Sequence, residues 1–257
     1  MIDLYFAPTP NGWKISVMLE ECGLDYNINW VNIGAGEQFA PEFLAISPNN
    51  RIPAIVDHDP ADGGEPVSVF ETGAILLYLA DKAEAFLPHD LRGQIAATEW
   101  LMWQMGGLGP MMGQHGHFKL YAPERIEYAT ERYRNEVLRL FGVMDRRLAD
   151  NSYLAGEDYS IADMSCFPWV QTYKRQEIDL DDFAHVKRWY EVLKQREGLR
   201  RGMAVGRERI NRNPQDFIRA EGIGERCALA LDAEFERASA MRQGSASSAE
   251  QPNEKGN

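Results

Sequence analysis

Thr9-Pro10-Asn11-Gly12 stands between a strand-like run, IDLYFA, and a helix-like run that ends at Gly23. An anion is favoured at such a point, because the first N–H groups of a helix are unpaired and its dipole is positive there. The Thr hydroxyl and the Asn amide add further donors. A strand, a proline-flanked turn and a helix start commonly host sulfur chemistry, since a helix N-terminus stabilises a thiolate. Yet no cysteine sits at the turn, and Cys22 lies at the far end of the helix. Asn11 also reads as a plain helix N-cap.

Two further stretches carry chemistry. In SPNNRIPAIVD, Ile52-Pro53 leads into a strand, where a residue without an N–H needs explaining. A cis bond there would turn the chain sharply and expose the Ile52 N–H and C=O to an incoming peptide, although few X-Pro bonds are cis. In FETGAILLYL, Glu71-Thr72 immediately precedes a helix. Amides near a Thr72 cap would hold a carboxylate and Glu71 an ammonium; the plain alternative is a capped helix beside an exposed Glu. Thiolate, peptide backbone and a doubly charged amino-acid head are together the parts of glutathione.

The elements that must position these residues are legible from periodicity. IDLYFA is a first strand, and Ile15, Met18, Leu19 and Cys22 share one face of the following helix, stopped by Gly23. YNINWVNI is a second strand, PEFLAI a short helix, and IPAIVD with PVSVF a hairpin around HDPADGGE. TGAILLYLADK closes the half as a helix, giving the β-α-β-α-β-β-α order of a thioredoxin-like domain over 1–82. From 90 to 207 the pattern is all-helical, with the glycines and Pro110 of GGLGPMMG loosening or kinking one helix. Ser160 and Asp163 form a capping-box pair before another. A helical extension is expected over 208–241 and a disordered tail over 242–257.

Composition narrows the partners. A formal charge of −12 disfavours nucleic acid and anionic membranes. No apolar run approaches the roughly 18–20 residues that span a bilayer, and MIDLYFAP lacks the regions of a signal peptide. Cys22, Cys166 and Cys227 are odd in number and widely spaced, which suits small buried residues in a reducing, cytoplasmic setting. His115-Gly116-His117 finds no third ligand at useful spacing, so no metal site is expected.

SPNNRIPAIVD, FETGAILLYLAD, WQMGGLGPMMGQ and YSIAD together resemble the Nu class of the glutathione transferase superfamily, over nearly all of residues 1–207. That class includes bacterial disulfide-bond oxidoreductases and is close to a fungal prion-forming nitrogen regulator. The resemblance implies a thioredoxin-like N-terminal domain, an all-α C-terminal domain, a homodimer and a cis Ile52-Pro53 bond. It implies that Thr9 and Asn11 lie nearest the sulfur of glutathione, Gln38 by the glycyl end and Ile52 by the cysteinyl backbone. Glu71 and Thr72 would hold the γ-glutamyl head. Gln104 and Arg132 would approach more weakly or from a partner subunit. Thr72 replaces the more usual serine and keeps the hydroxyl.

The implied chemistry needs no cysteine of the protein. Lowering a thiol pKa from about 8.5 by about 2 units takes about 2.7 kcal/mol of preference for the anion. A helix end gives up to about 2 kcal/mol and one hydrogen bond to a charged group about 1.5–3 kcal/mol. The expected activity is glutathione-dependent disulfide reduction, with two glutathiones or one glutathione disulfide in the cleft. Trp100, Trp103, Met111, Met112 and Phe118 read as a wall of that cleft or as plain core. The alternatives are transfer to, or lysis of, an organic electrophile such as an aryl ether, and a non-catalytic regulator. No Asn/Gln-rich tract precedes residue 1, which weakens the last.

Overall fold

Alternate residues of the first strand, β1 (Ile2–Phe6), meet different partners, because successive side chains of a strand point to opposite faces. A computed structural model of the chain describes residues 1–210. In it Ile2, Leu4 and Phe6 are buried with Ile15, Met18 and Leu19 of α1 (Pro10–Cys22) and Ile75, Leu76 and Leu79 of α3 (Thr72–Ala83). Tyr5, from the other face, packs beside Val31, Ala54 and Phe43, the last on α2 (Pro41–Leu44).

Four strands form one sheet in the order β2-β1-β3-β4, where β2 is Tyr26–Trp30, β3 Ala54–Asp57 and β4 Val67–Phe70. β1 pairs with β2 in parallel across the α1 crossover, and with β3 antiparallel; β3 and β4 make the expected hairpin. This is the thioredoxin-like plan read from the sequence. Gly23 ends α1 in the left-handed conformation, its N–H returning to the Leu19 carbonyl.

The rest of the described chain is helical. α4 (Leu91–Trp103) runs into a π-turn at Gln104–Leu108, and α5 (Gly109–Gly116) into a second at His117–Tyr121. The expected loosening at GGLGPMMG is thus a widened turn within a continuing helix. α6 (Glu127–Ala149) buries Val137, Leu140, Phe141, Met144 and Leu148 on one face. α7 (Ile161–Val170), almost wholly buried, starts at the Ser160–Asp163 capping box. Burial raises the Asp163 pKa to about 6, against hydrogen bonds from the Leu154 N–H, the Trp189 indole and Ser160. α8 (Ala184–Leu193) and α9 (Glu197–Ala204) complete the set. Among the described residues no helix is long and apolar enough to cross a membrane.

α9 returns to α1 and fixes the helical domain to the thioredoxin-like one. Ser16 Oγ donates to the Gly202 carbonyl at 2.8 Å, Trp13 Nε1 donates to the Val205 carbonyl at 2.9 Å, and Arg196 grips Glu21 with two bonds of 2.9 Å. A Cβ on Gly202 would lie 2.4 Å from Val17 Cα, so only glycine permits this approach. Apart from its first few residues, the expected extension over 208–241 lies outside the described residues, as do the tail over 242–257 and Cys227.

Candidate functional site

Pro10 decides how α1 begins. A proline at the first helical position is pre-organised for the helix, and it forces the residue before it out of the helical region. Thr9 is accordingly extended (φ −125°, ψ 163°) and caps α1, its Oγ1 accepting from the Gly12 N–H at 3.2 Å. The cap is therefore Thr9, and the alternative that Asn11 caps the helix is corrected. Gly12 is required sterically, since a Cβ there would meet the Ala7 carbonyl oxygen at 2.2 Å.

With its oxygen occupied as an acceptor by Gly12, the Thr9 hydroxyl still has a proton to donate. The Asn11 N–H, in the first turn, has no intrahelical acceptor. The Asn11 side-chain oxygen accepts from the Trp169 indole N–H at 3.0 Å, and the Nδ2 amide has no partner among the described residues. Three donors thus gather at the positive end of α1, and the described thiols lie elsewhere. Burial, with Glu21 nearby, pushes the Cys22 thiol up to about 11. Cys166, wholly buried, is pushed up further still. Neither is a nucleophile at neutral pH.

The second stretch delivers a free backbone edge. The Ile52-Pro53 bond is cis, and among the described residues no hydrogen bond to protein is made by the Ile52 N–H or C=O. Such an unpaired pair suits a strand-like bond to a peptide. Gln38, on the 3-10 turn Glu37–Phe39, is buried with its Oε1 lacking a partner.

The third stretch differs in detail from expectation. Glu71, not Thr72, is the N-cap of α3; it adopts φ 70°, ψ 119°, a strained conformation for a non-glycine residue, and makes no side-chain cap. Its carboxylate accepts from Asn49 Nδ2 at 3.0 Å and is exposed. Thr72 is the first residue of the helix and is buried; its hydroxyl accepts from Lys14 Nζ at 3.2 Å and donates to the Met105 sulfur at 3.2 Å. The hydroxyl is thus spoken for, and what α3 offers a ligand is its uncapped first-turn N–H groups.

The two residues named from the helical domain, Gln104 and Arg132, stand in different surroundings. Gln104 is buried: its Oε1 accepts from Lys14 Nζ at 2.6 Å, and its Nε2 has no partner among the described residues. Arg132 stands exposed on α6, and no hydrogen bond or ion pair among the described residues ties it to α1, β3 or α3. Of the aromatic and Met wall, Met112 alone is core, while Trp100, Trp103, Met111 and Phe118 are half-buried. Met112 is fully buried, Trp100 and Trp103 pack edge to face at 5.1 Å, and Phe118 stacks on Tyr133 at 5.6 Å. His115 is buried with Nδ1 2.6 Å from Gln176 Oε1, while His117 is exposed; no acidic, His or Cys group among the described residues is arranged to hold a metal.

Sequence reasoning missed Lys14, Trp169 and a cleft of about 350 Å³ beside Thr9, lined by Phe6, Trp30, Asn32, Arg209 and Ile210 among others. The Arg209 guanidinium lies over the Trp30 ring at 4.0 Å. Lys14 had a signal, since it falls four residues before Met18 on the apolar stripe of α1. Trp169 had none.

Family models of the glutathione S-transferase N-terminal and C-terminal domains match residues 9–82 and 102–197. The chain belongs to the glutathione S-transferase family. Among its relatives is the disulfide-bond oxidoreductase YfcG of Escherichia coli, 59% identical over 196 residues that cover 76% of this chain and 91% of that protein. A glutathione transferase from Burkholderia graminis, solved with two glutathione molecules per subunit, shares 42% identity and a TM-score of 0.77 over 80% of this chain and 88% of its own. Another from Pseudomonas putida, with one glutathione disulfide bound per subunit, shares 41% identity and a TM-score of 0.76 over 79% and 91%. The transferase fold accounts for the thioredoxin-like sheet and the helical domain packed on α1.

Proposed function

We propose that this chain is a glutathione-dependent disulfide-bond oxidoreductase whose nucleophile is the thiolate of bound glutathione. The observation that carries the reading is the cluster of donors from Thr9 and Asn11 at the start of α1, with the described cysteines buried and raised in pKa. Thr9 and Asn11 stabilise the sulfur anion. Gln38 and the Ile52 backbone hold the glycyl and cysteinyl parts. The first-turn amides of α3 and the Glu71 carboxylate hold the two charges of the γ-glutamyl head.

In the reaction the thiolate attacks one sulfur of a disulfide, and the other leaves as a thiolate and takes a proton from solvent. A second glutathione thiolate then attacks the mixed disulfide at the sulfur of its glutathione half. Glutathione disulfide forms, and the remaining substrate thiol is released. The chain contributes position and positive potential and undergoes no redox change itself. Relatives whose structures hold two glutathiones or one glutathione disulfide per subunit support this stoichiometry.

The apolar cleft beside Thr9 supports a second reading, glutathione transfer to, or thiolytic opening of, an organic electrophile. Purified protein is assayed side by side for reduction of a small mixed disulfide, conjugation of chlorodinitrobenzene and cleavage of an aryl ether, all with glutathione. The proposal requires the first to dominate; a dominant conjugation or cleavage rate supports the second reading, and no rate in any assay overturns both.

Within the family we place the chain in the Nu class, in the cytoplasm, with domains at 1–82 and 90–207, and as a homodimer. Phe70 on β4 and Leu91, Ile95 and Met102 on α4 are apolar and exposed, as a surface covered by a second copy would be. Arg132 then reaches glutathione across that interface. Light scattering that returns the monomer mass overturns the dimer.

A further inference from the structure

Lys14 is an ammonium in an unusual place. It lies on α1 among apolar residues, is 2% exposed, and makes hydrogen bonds only to neutral acceptors among the described residues. These are Thr72 Oγ1 at 3.2 Å, Gln104 Oε1 at 2.6 Å and the Met105 sulfur at 3.8 Å. It forms no ion pair with a described residue, although a buried charge without a counter-charge is costly. Burial lowers its pKa to about 7, and the nearby Cys166 and Glu71 act against that fall. Glu71 is turned outward onto Asn49, so no carboxylate of a described residue neutralises Lys14 directly.

Thr72 offers a position for a counter-charge. Thr72 carries Lys14 on its hydroxyl and opens α3 with its backbone, so an anion on the first-turn amides would sit across one residue from the ammonium. Both the helix end and Lys14 would then attract it, in a low-dielectric interior where such attraction is strong. Resting on the glutathione-binding reading above, we propose that Lys14 is the positioning residue of the carboxylate subsite at the start of α3. It seats Thr72 through its hydroxyl and supplies, from inside the protein, the positive potential that selects a ligand with a carboxylate at that end. Lys14 touches no ligand itself.

The test is a cycle of two changes, one in the protein and one in the ligand. Calorimetry measures binding of glutathione, and of 4-aminobutyryl-cysteinyl-glycine, which lacks only the γ-glutamyl carboxylate, to the full chain and to Lys14→Met. Methionine keeps the unbranched shape of the side chain, one heavy atom shorter, and removes its charge. Glutathione binding should weaken at least tenfold in the variant, about 1.4 kcal/mol, while binding of the truncated ligand changes less than twofold. Equal losses for both ligands would mean a structural role only, and unchanged glutathione binding by the variant would mean no role; either overturns the proposal. A second variant, Gln104→Glu, keeps the 2.6 Å bond and gives Lys14 a permanent counter-charge. It too should bind glutathione at least tenfold more weakly, and an unchanged affinity again overturns the proposal. If the unmodified chain takes up neither ligand, the glutathione reading itself fails, which these variants do not decide.

Discussion

The indole N–H of Trp169 donates to the side-chain oxygen of Asn11 at 3.0 Å, joining residues 158 positions apart. An indole nitrogen can only donate, so its partner must be the amide oxygen, and the NH₂ is turned away. A residue of the helical domain thereby fixes which side-chain atoms of Asn11 stay free at the start of α1. Asn11→Ala should lower the disulfide reductase rate about ten- to a hundredfold, from the loss of a hydrogen bond to a charged group worth about 1.5–3 kcal/mol. Trp169→Phe should lower it less, with the thiol pKa of bound glutathione, read by ultraviolet thiolate absorbance, shifted upward in both.

Replacing Cys22, Cys166 and Cys227 together by serine should leave the reductase rate within about threefold of the original, because the described thiols are held protonated by burial. Loss of the rate in a variant whose circular dichroism is native would show that the chain supplies its own nucleophile.

Glu71→Gly separates binding from stability. The glycine relieves a backbone at φ 70°, a conformation worth roughly 1–3 kcal/mol of strain in a non-glycine residue, while removing the carboxylate proposed above to hold the ligand's ammonium. Calorimetry should show glutathione binding weakened about tenfold, and thermal unfolding should occur at an unchanged or higher temperature.

Gly202→Ala should destabilise the fold by roughly 1–3 kcal/mol, because the new methyl must displace the backbone of Val17 across the α1–α9 contact. Urea unfolding checks this, and an unaltered midpoint would show that the two helices separate without cost.

Asp163 makes stability depend on pH. Burial raises its folded pKa to about 6 from an unfolded value of 3.8, so the proton is bound more tightly in the folded chain. The stability this contributes is complete below 3.8 and is lost as pH rises through about 6. An asparagine does not titrate, so the advantage of the original over Asp163→Asn should shrink by roughly 3 kcal/mol between pH 3.5 and 7. Chemical unfolding at several pH values measures it; a constant difference would place the Asp163 pKa at its ordinary value.

The order of strands and helices was legible because each depends on neighbours in the chain. Strand alternation at Ile2, Leu4 and Phe6, the stop at Gly23 and the capping box at Ser160 and Asp163 are all set within a few residues. The rule that a proline excludes helix from the residue before it was also available at Thr9-Pro10, and it would have assigned the cap to Thr9 directly. The family resemblance added the cis bond, which local composition does not determine.

Tertiary structure alone decided the partners of polar side chains. Thr72 could have offered its hydroxyl to a ligand, but α4 continues into a π-turn that brings Gln104 and Met105 against it, with Lys14 between. Gln104 and Arg132 sit on the same domain, yet one is sealed inside and the other exposed. A hydrogen bond is short-ranged and directional, so which donor meets which acceptor depends on how the helices cross. Periodicity in the sequence names the buried face of each helix, but not the residue it faces.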